Sequence, residues 1–133
     1  MTSWTEPIEA ASPAIELLDP SPAESRHRVA RLQEIAELTD EDLSGLLLSV
    51  NETVTNALLH GRSPVRLRAW AEQGRILVTV TDRGPGPADP AAGLVPAGEP
   101  GGFGLWLAHQ LCAYVSLQRG PQGFTIRLIA GGY

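Results

Sequence analysis

The spacing of apolar positions changes period along the chain. From Ser21 to about Leu38, residues Val29, Leu32, Ile35 and Ala36 recur at helical spacing. A second helix is predicted from Asp40 to about Leu59, because Thr39-Asp40-Glu41-Asp42 supplies a cap and first-turn acids and Gly61 provides the stop. Its apolar stripe is Leu43, Leu46, Leu47, Val50, Val54, Ala57 and Leu58, with Ser49, Glu52, Asn56 and His60 on another side. The period then drops to two. Val65 to Trp70 alternates apolar with basic residues, and Arg75 to Thr81 is its predicted antiparallel partner through Glu72-Gln73-Gly74. Ala14 to Leu18 reads as a short edge strand. A further helix is predicted from about Phe103 to Cys112, followed by strands Tyr114 to Arg119 and Phe124 to Ile129 around the turn Gly120-Pro121-Gln122-Gly123. Helices grouped together and strands in hairpins predict an α+β fold, with helices on one face of a mixed sheet.

Two stretches fall outside the pattern. Residues 1–13 are polar and contain proline, so a flexible N-terminal segment is expected ahead of a domain spanning 14–133. Between Asp82 and Gly104 there are seven glycines and five prolines, too many breakers for a regular element. A loop of that length in a compact domain is usually functional.

Composition narrows the function. A chain of 133 residues, 43 % hydrophobic, is about one domain long and able to bury a core. The formal charge is −5 and no basic block is present, which argues against nucleic acid as the main partner. Every fixed cation is an arginine. Cys112 has no second cysteine to pair with and lies in the apolar run Leu111 to Val115, so a buried, unreactive thiol is expected. No apolar stretch approaches the roughly 20 residues of a membrane span, and no secretory pattern opens the chain, so a cytoplasmic location without membrane attachment is expected.

Three groups of residues carry candidate chemistry. Glu52 and Asn56 stand one helical turn apart, so their side chains share a side of the helix. An amide oxygen beside a carboxylate suits a hard cation such as Mg²⁺, and a carboxylate there can also accept a proton from a hydroxyl. The same two residues fit the solvated side of an amphipathic helix. At a strand end, Thr81-Asp82-Arg83-Gly84-Pro85-Gly86 offers an acid able to accept from an exocyclic amine and glycines that admit a ligand close to backbone. Gly101-Gly102-Phe103-Gly104-Leu105 runs into a predicted helix, where backbone N–H groups favour anions. Singly, either glycine cluster also reads as a turn or joint. No βαβ unit surrounds them, which excludes a dinucleotide fingerprint, and the absence of lysine excludes a P-loop.

In order and spacing, Glu52-xxx-Asn56, then Asp82-x-Gly84-x-Gly86, then Gly102-x-Gly104-Leu105, the chain resembles the GHKL (histidine kinase-like) ATPases over roughly residues 24 to 129. Within that superfamily, Asn51 to Gly61, Gly102 to Leu107 and Gly123 to Leu128 are similar to anti-sigma-factor serine/threonine kinases. The resemblance implies a two-layer α/β sandwich with a mixed, mostly antiparallel sheet, and ATP and Mg²⁺ as cofactors. It implies that Asn56 holds Mg²⁺ against the phosphates and that Glu52 is the general base. It further implies that Asp82 recognises the adenine amine and that Gly86 sits beside the base. Gly84 to Gly101 would form a lid, Gly102, Gly104 and Leu105 would give backbone to the phosphates, and Thr125 would help hold adenine from the sheet. The lid is short and poor in side chains able to clamp a γ-phosphate, which points to slow turnover; Arg62 and Arg83 are the nearest candidate cations.

The implied activity is ATP-dependent phosphorylation of a Ser or Thr on an anti-anti-sigma (STAS) protein, with sequestration of a sigma factor by the same domain. Look-alikes commonly form homodimers and meet partners through the first helix, which here carries Arg26, His27, Arg28 and Arg31. Two other readings stay open. One is a nucleotide-dependent protein-binding module with little catalysis. The other is the catalytic domain of a larger sensor kinase or regulator, against which stands the lack of a preceding helical hairpin with a phosphoacceptor histidine.

Overall fold

The computed structural model describes residues 8–86, 111–121 and 123–131. Among these residues, five strands form one sheet: β1 (Ile15–Leu18), β2 (Arg66–Glu72), β3 (Arg75–Asp82), β4 (Tyr114–Gly120) and β5 (Gly123–Gly131). Their order is β1-β2-β3-β5-β4, and all four pairings are antiparallel. Among the described residues, three α-helices, α1 (Pro22–Ala30), α2 (Gln33–Ala36) and α3 (Asp40–His60), lie on one face. The α+β class and the two-layer arrangement expected from the sequence are therefore present, with β1 at an edge of the sheet as its shortness suggested.

The core follows from period-two alternation in the strands meeting helical spacing in α3. Leu67 and Ala69 of β2, Ile76, Val78 and Val80 of β3, and Phe124, Ile126, Leu128 and Ala130 of β5 are all buried. They face Leu46, Val50, Val54 and Ala57 of α3. Thr39 caps α3 by accepting from the Asp42 amide at 3.1 Å, and the acids at 40–42 complement the positive end of the helix.

Two helix expectations need correction. The predicted helix from Ser21 to Leu38 is broken at Arg31 and Leu32 into α1 and α2. Gln33 folds back on Leu38, donating through Nε2 to its carbonyl at 2.6 Å and accepting its amide through Oε1 at 2.9 Å. Glu37 takes a left-handed conformation, φ 53°, and ends α2 there. Ile35, counted in the apolar series, is half exposed. On α3, Leu58 is exposed while Ser49 is fully buried. The Ser49 hydroxyl donates to the Gly45 carbonyl at 2.9 Å, which satisfies it inside the helix and makes its burial tolerable.

The opposite sheet face meets the N-terminal segment. Ile8–Ala10 forms a 3-10 turn, the Trp70 indole donates to the Ala11 carbonyl at 2.9 Å, and Arg127 pairs with Glu9. Among the described residues, no helix is long and apolar enough to cross a membrane.

Candidate nucleotide site

The C-terminal half of α3 and the end of β3 converge on the Asp82 carboxylate. Asp82 is 7 % exposed and lies on the helical side of the sheet, opposite Phe124 of β5 in the register. Its Oδ1 accepts the Gly84 amide at 2.6 Å and the Arg62 amide at 3.4 Å. The Arg83 amide donates to the Arg62 carbonyl at 2.9 Å, tying the segment after α3 to the segment after β3. The strand end is thus held against the helix end by backbone, with the carboxylate at the junction.

Three glycines make this cradle. A Cβ on Gly61 would lie 2.5 Å from the Asp82 carboxyl carbon, and one on Gly84 would lie 2.9 Å from Oδ1. Gly86 adopts φ +76°, and a Cβ there would strike the Phe124 ring at 2.3 Å. Backbone therefore approaches both the acid and the aromatic more closely than any other residue type permits. Such an acid, fixed by amides beside a turn opened by Gly84 and Gly86, suits the exocyclic amine of a base lying along the backbone.

Glu52 and Asn56 are half-buried on a flank of α3 shared with Gly45 and Ser49, at spacings of seven and eleven residues from Gly45. By the helical rise they stand about 13 and 7 Å up the helix from Gly61. The chain returning towards the sheet enters along the same flank. The Leu111 carbonyl lies 3.0 Å from where a Gly45 Cβ would be, and the Cys112 thiol bonds the Ser49 side chain. Burial pushes the Cys112 thiol above its ordinary value, the Ser49 bond working weakly against it. This fits the unreactive thiol expected from the sequence.

The structure seats Asp82 and Gly84 beside Gly61, with Gly86 against Phe124; Asn56 and Glu52 follow further along α3, and Thr125 is not among them. Thr125 pairs with Thr81 across β5 and β3, their hydroxyls 2.9 Å apart, on the sheet face opposite the Asp82 carboxylate. Period two is the reason, since the residue sharing a face with Asp82 is Phe124. The rule was available in the sequence once the β3–β5 register was known. Gly102, Gly104 and Leu105 lie outside the described residues, as does most of the 84–101 lid.

A further cation stands beside the turn. The Arg119 Nε donates to the Pro85 carbonyl at 2.8 Å, and Arg119 pairs with Phe124 in the register. Nothing in its sequence context marked it. Among the described residues, no group of three or more His, Cys, Asp or Glu side chains could hold a metal.

Comparisons with known proteins agree with this architecture. Solved structures with the same fold include the histidine kinase domain of the blue-light activated histidine kinase from Erythrobacter litoralis EL346. It has 23 % identity and a TM-score of 0.55, over 82 % of this chain and 59 % of that one. A longer structure of the same kinase gives 26 % identity and 0.56 over 78 % and 39 %. The RsbU and RsbW domains of Rv1364c from Mycobacterium tuberculosis give 23 % and 0.55 over 91 % and 34 %. The chain thus spans less than two thirds of each of these proteins. No curated protein matches it by sequence. The family model for the histidine kinase-like ATPase domain matches residues 18–130, nearly the whole of the sheet and helical layer, and the chain belongs to that family of ATP-binding domains.

Proposed function

We propose that this domain is an ATP-dependent protein serine/threonine kinase of the anti-sigma-factor type, acting in the cytoplasm on an anti-anti-sigma (STAS) partner and sequestering a sigma factor. The observation that carries the reading is the order of groups along α3. The amine-accepting Asp82 lies at the Gly61 end, then comes Asn56 as a metal-binding amide, then Glu52 as base. The RsbU and RsbW domains and the histidine kinase domain share the fold to the same degree, so the kinase type rests on the similarity of Asn51 to Gly61 and Gly123 to Leu128 to anti-sigma-factor kinases.

Phosphoryl transfer asks a protein for position, charge neutralisation and a proton acceptor. Asp82 and the Gly84–Gly86 backbone would orient the adenine end. Asn56 would hold Mg²⁺, which when bound neutralises phosphate charge. Glu52 would accept the proton from the partner's Ser hydroxyl as its oxygen bonds the γ-phosphorus and the bond to the β-phosphate oxygen breaks, releasing ADP.

A nucleotide-gated binding module is favoured by one specific contact. Arg26 of α1 hydrogen-bonds Asn51 of α3, the residue before Glu52, while His27 and Arg31 stay exposed. Partner contact on α1 is thereby joined to the nucleotide-binding helix, and such a module would retain binding while catalysing little.

The deciding experiment incubates the protein with γ-labelled ATP, Mg²⁺ and a purified STAS protein, then tests the acid stability of the label. Acid-stable phosphoserine or phosphothreonine on the partner supports the kinase. Acid-labile phosphohistidine moves the assignment to the sensor-kinase branch. Mg²⁺-dependent ATP binding in calorimetry without any transfer leaves the binding module.

A further inference from the structure

The sheet face turned away from the helices carries a second concave site. It measures about 820 Å³ and is bordered by Arg66 and Arg68 of β2, Thr81 of β3, Arg83, Gln118 of β4 and Thr125 of β5. Its floor is one cross-strand row. Arg66 pairs with Thr81, Thr81 with Thr125, and Thr125 with Gln118, so a guanidinium, two hydroxyls and an amide lie side by side across four strands. The same alternation that places Leu67 and Ala69 in the core puts both β2 arginines on this face.

The charges are uneven in a way that suits an anion. Arg68 is paired with Glu16 at 3.0 Å, but neither Arg66 nor Arg83 has an acidic partner among the described residues. Asp82 also borders the cavity, with its carboxylate committed to the Gly84 and Arg62 amides. In a chain of net charge −5, two uncompensated guanidinium groups facing one hollow are not accounted for by the general surface. Small-molecule sites span about 300–1,000 Å³ and are mostly apolar, so a hollow of this size lined by arginine, hydroxyl and amide selects a polar ligand. Guanidinium forks match phosphate oxygens, and the Gln118 amide and whichever of the two mutually bonded Thr hydroxyls keeps its proton free can donate to the rest.

We propose that this face binds a small phosphate-bearing ligand, free or as a phosphomonoester, at a site separate from the nucleotide site. The two lie back to back on β3: Asp82 serves one face and Thr81 the other.

The test is amide chemical-shift mapping of the full chain titrated separately with inorganic phosphate, pyrophosphate and glycerol 3-phosphate. The expected result is saturable shifts centred on Arg66, Thr81, Gln118 and Thr125, weakening with added salt. Arg66→Gln should reduce affinity about tenfold, as loss of a charged hydrogen bond implies, while Arg31→Gln, at the break after α1 on the other side of the sheet, leaves it unchanged. Tighter binding of glycerol 3-phosphate than of phosphate would assign the spare volume to an organic group. Equal binding would assign the site to the free anion, and either supports the proposal. Shifts confined to residues 52–61 and 84–86 would place the anion in the nucleotide site and overturn it. So would equal affinity in wild type and Arg66→Gln, or no saturable shift in folded protein. The ATP experiments do not bear on this site, so either proposal can fail alone.

Discussion

The Asp82 carboxyl carbon lies 2.5 Å from the place where a Cβ on Gly61 would sit. Gly61 follows α3 with φ −87° and ψ −164°, an extended conformation open to any residue. A left-handed helix cap therefore does not explain the glycine; the space taken by the acid does. Gly61→Ala should push Asp82 out of its seat, at a cost of about 1–3 kcal/mol for overpacking, and should weaken ATP binding. Gly120→Ala is the control, since its Cβ would meet nothing within 4 Å. Calorimetric affinity and melting temperature would check both. Wild-type affinity in Gly61→Ala would mean that Asp82 needs no such seat.

Gly61 also shows what could be read in advance. The helix end was legible because glycine stops helices, yet the reason for this glycine depends on an acid 21 positions later. The α3 boundaries, the β2–β3 hairpin and the β4–β5 hairpin followed from local caps and periods. The break at Arg31 and Leu32 was hidden because the apolar spacing runs through it, and only the i→i+3 backbone bonds of Arg31 to Arg28 and Leu32 to Val29 mark it. The early end at Glu37 was hidden too, since Gln33 clamps Leu38 through its side chain. The motifs single out Glu52, Asn56 and Asp82, and the structure adds the seat of Asp82 against Gly61 and Gly84. The Arg119 contact with Pro85 required the pairing of two distant segments.

Glu52 and Asn56 share a flank but have separable roles under the proposed mechanism. Asn56→Ala should abolish the Mg²⁺-dependent part of ATP binding. Glu52→Gln should keep ATP affinity and lower phosphoryl transfer by about 10²–10⁴-fold, the usual contribution of a general base. Calorimetry with and without Mg²⁺, together with initial rates of transfer, distinguishes the two. Unchanged affinity in Asn56→Ala would remove it as the metal ligand, and wild-type transfer in Glu52→Gln would remove the base.

Thr125 lies on the sheet face away from Asp82, so it should be dispensable for nucleotide. Thr125→Val removes its hydrogen bond to Thr81 at a cost of about 1 kcal/mol in stability and should leave ATP affinity unchanged. Phe124→Ala should affect both stability and nucleotide, because its ring packs against Gly86 and belongs to the core. A loss of about 3–5 kcal/mol is expected there, together with weakened ATP binding. If Thr125→Val lost ATP affinity while keeping its fold, the hydroxyl would have to act through the strand.

Cys112 offers a test by pH. Burial raises its pKa in the folded protein, so the native state keeps its proton where an unfolded thiol would lose it. The linked stabilisation is full below the unfolded value, where both states are protonated. It is lost as pH rises from there through the folded value. Alkylation by iodoacetamide at neutral pH should therefore be slower in native than in denatured protein, with the native rate still climbing after the denatured rate has levelled. Ser49→Ala removes the bond that favours the thiolate and should slow native alkylation further. Faster alkylation in Ser49→Ala at unchanged melting temperature would show that Ser49 shields the thiol rather than favouring its ionised form.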